Sequence, residues 1–174
     1  MAATAGALVP AVEGATGEQL QQLVDFGPVQ LPLWQVLGAC LLEGMVHSWD
    51  MRARRKPETT IPAAWARELA GVLIPSIPML AHADAEAGRA GRSLFEVDDG
   101  VGSVTVVTEG GTIQAQPGRV GSPDVTVHLT ADRCVRLLPG LLPLGRPIEG
   151  GEVTVEGDPV RAAELNRIFA GVGH

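Results

Sequence analysis

The pattern of hydrophobic and polar positions changes near residue 90, from a helical period before it to alternation after it. From Pro32 to Trp49, apolar side chains recur every three or four positions, which predicts one long helix. An N-cap at Thr16 predicts a shorter helix over residues 16–26. A third helix is predicted to begin at Pro62, and two later prolines interrupt it before residue 80. The first half of the chain is therefore predicted to be helical.

Short alternating stretches separated by turn signals characterise the second half. Alternation before Asp99-Gly100 and on both sides of Gly110-Gly111 predicts strands joined by tight turns. Residues 125–129 alternate again, and Thr130 then caps a predicted helix. A last short strand precedes a final helix that Asp158 caps. The pattern predicts an α+β arrangement of about five strands.

Together these patterns predict two domains, a helical module over residues 1–90 and an α+β domain over residues 91–174. A chain of 174 residues has room for one generous domain or two small ones. The composition is that of a globular protein, with 45% hydrophobic and 19% charged residues. Tyrosine is absent and aromatics are only 3%, so leucine, valine and alanine must fill the core.

The charge and the cysteines restrict the class of partner and the compartment. A formal net charge of −7 argues against a nucleic-acid partner. The single basic cluster, residues 52–56, is interpreted as favourable charge at a helix C-terminus. Cys40 and Cys134 are far apart in sequence, and Cys40 lies within an apolar run, so we expect two buried, reduced thiols in the cytoplasm rather than a disulfide. No stretch approaches the ~20 apolar residues of a membrane span. We therefore expect a cytoplasmic protein that does not insert into a membrane.

A carboxylate and an imidazole lie one turn apart on the long predicted helix. Glu43 and His47 are four residues apart and so share one helix face, with Asp50 close by. Imidazole and carboxylate groups both suit zinc and its first-row neighbours. A pair with this spacing is more often a solvated, helix-stabilising pair than a metal site. Metal binding and acid or base catalysis remain open for these residues.

The second half resembles sterol-carrier-protein-2-like (SCP2-like) domains. The resemblance covers roughly residues 92–172 and is carried by the strand and helix at 124–132, the loop at 137–140, and the stretch from Ile148 to Asp158. It implies a sheet covered by helices, with an apolar cavity between the two layers. Some members carry lipids, and many others serve as accessory domains. The following residues are expected to line such a cavity, or else to be plain core: Leu137, Leu138, Leu141, Leu142, Leu144 and Trp49.

The first half resembles part of the DinB-like, metal-binding domain of the mycothiol-dependent maleylpyruvate isomerase family. The matching residues are Pro32-Leu33, Glu43, His47, Trp49 and Asp50. In that family a Glu and a His on this helix join a His from an earlier helix to bind a divalent metal, and a carrier-like domain follows. No histidine precedes Pro32 in this chain, so only Glu43 and His47 carry over. The resemblance implies a truncated DinB-like helical bundle followed by an SCP2-like domain.

Three functions follow from these observations. The first is a binding protein that holds a small hydrophobic molecule, such as a lipid or a polyketide-like compound, in an SCP2-like cavity. The second is a metal-dependent isomerase or transferase in which Glu43 and His47 hold a zinc-like ion that activates mycothiol. The third is a biosynthetic enzyme that uses Glu43, His47 or Asp50 as acid or base on an apolar substrate. The missing third ligand favours the binding protein.

The shortened helical module also predicts an oligomer. Its apolar stripe lacks the partner helices that a complete bundle would provide, and an uncovered stripe of that size tends to drive association. We therefore expect a homodimer in which helices of two copies pack together.

Overall fold

The computed structural model describes residues 10–26, 29–56, 59–80, 90–138, 151 and 153–169. The chain falls into two compact units, Met1–Glu43 and Gly44–His174. The predicted domain boundary at residue 90 stays a prediction. No helix within the described residues is long and apolar enough to cross a membrane.

The first unit contains a short helix and a β-hairpin. Helix α1 (Gly17–Leu20) begins with a capping box, in which the Thr16 side chain accepts from the Gln19 backbone amide at 3.2 Å. Strands β1 (Leu23–Phe26) and β2 (Val29–Pro32) then pair in antiparallel fashion. The helix predicted over residues 16–26 is therefore wrong beyond Leu20. Four residues make a marginal helix, and the β-branched and aromatic residues that follow pack better in a hairpin.

Helix α2 (Leu33–Ala53) follows the hairpin directly and is the longest helix described, with 21 residues. It begins at Leu33, one residue after the predicted start, because Pro32 ends strand β2. The predicted long helix is confirmed. An all-helical first half is not, because the hairpin precedes this helix.

The second unit adds three helical segments before its sheet begins. Helix α3 (Ala63–Leu73) follows Pro62, then comes a single 3-10 turn (Ile74–Ser76), and then α4 (Ile77–Leu80). The 3-10 turn contains Pro75, which confirms the predicted interruption. The side chains of Ala66, Leu69, Ala70 and Leu73 form the buried face of α3. Trp65 on the same helix is 47% exposed and so lies outside the core.

The sheet of the second unit has five strands in the order β5-β4-β3-β6-β7. Its strands are β3 (Gly91–Val97), β4 (Gly102–Glu109), β5 (Thr112–Pro117), β6 (Val125–Leu129) and β7 (Thr154–Gly157). Strands β3 and β6 run parallel, and the other neighbours run antiparallel. The predicted α+β arrangement of this half is confirmed.

Tight turns of the predicted type join β3 to β4 and β4 to β5. Asp99 and Gly100 both have positive φ, at 65° and 81°, between β3 and β4. Gly110 and Gly111 do the same, at 56° and 77°, between β4 and β5. Two consecutive positive φ values give the twist that a hairpin needs, and Asp-Gly and Gly-Gly adopt them at low cost.

Two helices complete the second unit. Helix α5 (Ala131–Leu137) follows β6, and the Thr130 side chain caps it by accepting from the Arg133 amide at 3.3 Å. Helix α6 (Pro159–Ile168) has Asp158 as its N-cap and Pro159 in its first turn. Both caps agree with the sequence prediction.

One face of the sheet is covered and apolar, and α6 packs on it. The strand registers place nine buried side chains on this covered face: Ser93, Phe95, Val97, Val104, Val106, Thr108, Val125, Val127 and Leu129. The ring of Phe169, just after α6, meets the ring of Phe95 edge to face, with centroids 5.8 Å apart. The core of this unit therefore lies between the covered face and the helices.

Candidate ligand site

Two leucines of the predicted cavity lining are described and buried. Leu137 and Leu138, at the C-terminal end of α5, are 2% and 0% exposed. Helix α3 packs against α5 and adds its own buried face to the core. Leu141, Leu142 and Leu144 lie outside the described residues. The role of these leucines as a cavity lining stays a prediction.

A buried cation lies on the covered face, which the sequence analysis did not foresee. Arg161 of α6 is 1% exposed. Its Nε donates to Ser93 Oγ at 3.2 Å, and its Nη2 donates to Thr108 Oγ1 at 2.7 Å. Its Nη1 forms an ion pair with Glu164 Oε2 at 3.2 Å. The arginine thus joins α6 to strands β3 and β4. Ser93 and Thr108 were the available signal, because they are polar residues at inward positions of apolar strands.

A second polar cluster holds Trp49, the remaining predicted lining residue. Trp49 is 5% exposed, and its Nε1 donates to the Thr59 carbonyl at 2.6 Å. The guanidinium of Arg136 lies over the indole ring, 5.0 Å from its centroid. Arg136 also pairs with Asp132, whose Oδ1 accepts from the Ile61 amide at 2.7 Å. Trp49 therefore belongs to a cluster that joins α2, the 59–61 segment and α5.

A pocket of about 460 Å³ opens beside this second cluster. Its walls come from the segment that precedes α3, the β3–β4 turn and the first turn of α5. The residues that line it are Thr60, Ile61, Pro62, Ala63, Asp99, Thr130, Asp132 and Arg133. The volume falls within the range of about 300–1,000 Å³ that small-molecule sites occupy. The pocket combines an apolar wall with a polar rim, and no sequence signal pointed to it.

The predicted metal or acid–base residues lie on α2. Glu43 and His47 are both exposed, one helical turn apart, and Asp50 is half-buried. Asp50 forms an ion pair with Arg54 at 3.3 Å. Within the described ranges, no group of three or more His, Cys, Asp or Glu side chains comes together as a metal site would require. The proposed roles of Glu43, His47 and Asp50 stay predictions.

The two cysteines differ sharply in their surroundings. Cys134 is buried in α5, as predicted, whereas Cys40 is exposed on α2, so the prediction that both thiols are buried is wrong for Cys40. Burial raises the pKa of the Cys134 thiol from 9.0 to about 12, because the thiolate loses its hydration. At neutral pH Cys134 is therefore a neutral, unreactive thiol.

We expect only one of the two thiols to react rapidly with a disulfide reagent in the native protein. A disulfide reagent at pH 8 should modify Cys40 rapidly and Cys134 only after unfolding, because the reaction needs an accessible thiolate. Ellman titration with and without denaturant measures this directly. Cys40→Ser should abolish the fast phase, and a fast phase that survives in this variant would contradict the placement of Cys134.

Comparison with known proteins identifies the fold of the second unit. Residues 81–170 match the family model of the SCP-2 sterol transfer family. Because this match covers more than half of the 174 residues, the chain belongs to that family. The resemblance of the second half to SCP2-like domains is confirmed, whereas nothing found supports the DinB-like part. No curated protein matches the chain.

Several solved structures are similar to part of this chain at low sequence identity. A double mutant of the sec-alkyl sulfatase PisA1 matches with a TM-score of 0.52 and 19% identity. The match covers 62% of this chain but only 17% of the sulfatase chain. Sterol carrier protein 2 from Yarrowia lipolytica matches with a TM-score of 0.43 and 19% identity over 59% of this chain and 91% of its own. Sterol carrier protein 2 like 2 from Aedes aegypti gives a TM-score of 0.45 and 19% identity, over 62% of this chain and 99% of its own.

Proposed function

We propose that this protein binds a small hydrophobic molecule, of lipid or polyketide-like character, between the covered face of the sheet and the helices. Membership of the SCP-2 sterol transfer family supports the class of ligand. The observation that carries the proposal is the largely apolar covered face, on which seven of the nine buried side chains are hydrocarbon and Ser93 and Thr108 bind Arg161. Such a surface excludes water and favours apolar ligands without directional contacts.

The ligand is expected to reach the C-terminal end of α5, where Leu137 and Leu138 are buried. The pocket beside α5 has a polar rim, with Asp99, Thr130 and Arg133 among its residues. A ligand with one polar end would place that end at the rim and its apolar body against the leucines. This arrangement resembles other ligand sites, in which a few polar groups orient a mainly apolar molecule.

A fluorescent fatty acid and a fluorescent sterol, each titrated into delipidated protein, test the proposal. We expect saturable binding of at least one probe by the wild-type chain. Leu137→Trp should weaken that binding by roughly tenfold, because the larger ring fills space beside the ligand, a change of about 1.4 kcal/mol. Leu137→Met is the matched control, since it conserves volume and should bind as the wild type does. A folded wild-type protein that binds neither probe saturably would contradict the proposal.

A divalent-metal role is a second candidate, because Glu43 and His47 are exposed one turn apart on α2 and accessible to an ion. In this proposal a zinc-like ion would activate mycothiol, and a homodimer would supply the third ligand from the other copy. Native mass spectrometry distinguishes the candidates. A dimer that carries one zinc-sized adduct per subunit, absent in His47→Ala, would favour metal chemistry.

A third proposal gives Glu43, His47 or Asp50 an acid or base role without metal. Replacement of Glu43 or His47 would then abolish turnover and leave ligand binding intact.

A further inference from the structure

Positive charge is concentrated at the C-terminal end of α2. Arg52, Arg54, Arg55 and Lys56, here called the basic cluster, supply four of the 13 basic residues of a chain that has 20 acidic ones. All four are exposed. The cluster lies outside residues 81–170, so family membership does not account for it.

Closing the helix end explains only half of this cluster. Arg52 Nε donates to the Ser48 carbonyl at 3.1 Å, and Arg54 pairs with Asp50 at 3.3 Å. Arg55 and Lys56 lie beyond Ala53, the last residue of α2. Their backbone amides donate to the Arg52 carbonyl, both at 3.0 Å. Because backbone amides close the helix end, the two side-chain charges are not needed for that purpose.

An exposed apolar side chain, that of Met51, directly precedes the basic cluster. Met51 is 67% exposed, the highest value among the large hydrophobic residues of the described chain. A single exposed methionine is common on protein surfaces, but its position next to four cations is distinctive. It matches the boundary of a lipid bilayer, where cations contact headgroups and an apolar side chain reaches the acyl region.

We propose that the basic cluster and Met51 dock the protein on the surface of an anionic lipid bilayer, without insertion of a helix. Arginine suits this role because its guanidinium binds phosphate and carboxylate oxygens in pairs. Nucleic acid offers the same phosphates but no apolar layer for Met51, and the cluster contains no aromatic residue for base stacking.

Co-sedimentation with sucrose-loaded vesicles tests this docking surface, with the full-length chain. Wild-type protein should bind vesicles that contain phosphatidylserine and not vesicles of phosphatidylcholine alone. Binding should fall steeply between about 0.05 M and 0.5 M salt, as screening requires. The double variant Arg55→Gln with Lys56→Gln should bind at least about tenfold more weakly, since each basic residue near the surface contributes a factor of about five.

The control variant also removes two positive charges, but at positions outside the basic cluster. Arg119 and Arg167 are exposed and form ion pairs with Glu96 and Glu164. Arg119→Gln with Arg167→Gln should bind vesicles as the wild type does. Equal losses in the two double variants, equal binding to both lipid compositions, or stronger binding to duplex DNA than to vesicles would each overturn the proposal. The assay involves no cavity ligand, so its outcome is separate from that of the proposed function.

Discussion

Replacing Arg161 with methionine is expected to lower the free energy of unfolding by about 3–5 kcal/mol, because the change takes from a buried carboxylate its closest and only buried cation and leaves it the exposed Arg167 at 3.8 Å. Glu164 would lose the 3.2 Å ion pair, and the hydroxyls of Ser93 and Thr108 would lose their donor. Equilibrium denaturation in urea, followed by far-ultraviolet circular dichroism, gives the difference.

The double variant Arg161→Met with Glu164→Leu is the informative control. It removes both buried charges, so it should recover part of the stability that the single variant loses. A double variant no more stable than Arg161→Met would show that the loss comes from the hydroxyl contacts or from packing. A loss below about 1 kcal/mol in the single variant would contradict the network altogether.

The second large effect is expected at Gly157, which ends β7. Its φ is 105°, and a Cβ at this position would lie 2.3 Å from the Asp124 carbonyl oxygen. The same oxygen accepts from the Asp158 amide at 2.8 Å. Gly157→Ala should therefore push β7 away from β6 and lower the free energy of unfolding by roughly 3 kcal/mol or more.

Gly102→Ala separates the steric clash from the backbone strain. Gly102 has a φ of 100°, close to that of Gly157, but a Cβ added at Gly102 would have no neighbouring atom within 4 Å. We expect Gly102→Ala to lower the free energy of unfolding by only about 1 kcal/mol. Thermal unfolding of both variants provides the comparison, and equal losses would show that the contact with Asp124 does not decide the effect.

The second unit was predictable because its signals are local. Asp99-Gly100 and Gly110-Gly111 require left-handed backbone, and they mark two turns in sequence alone. Thr130 and Asp158 cap helices through contacts two or three residues away. Such features do not depend on where the rest of the chain lies.

Other features depend on distant partners and could not be derived in this way. Leu20 and Leu23 fit the spacing of a helix, but residues 23–26 pair with residues 29–32 and form a hairpin instead. The parallel pairing of β3 with β6 joins residues more than thirty positions apart. The burial of Arg161 could not be predicted either, because it depends on two strand residues that lie 53 and 68 positions earlier in the sequence.

The buried thiol of Cys134 sets an alkaline limit on this fold. Because folding raises its pKa from 9.0 to about 12, the unfolded chain releases a proton that the folded chain keeps. The stabilisation of the neutral thiol is complete below pH 9 and is lost as the pH rises towards 12, at about 1.4 kcal/mol per pH unit. Ionisation of the Cys134 thiol is therefore expected to destabilise the fold at alkaline pH.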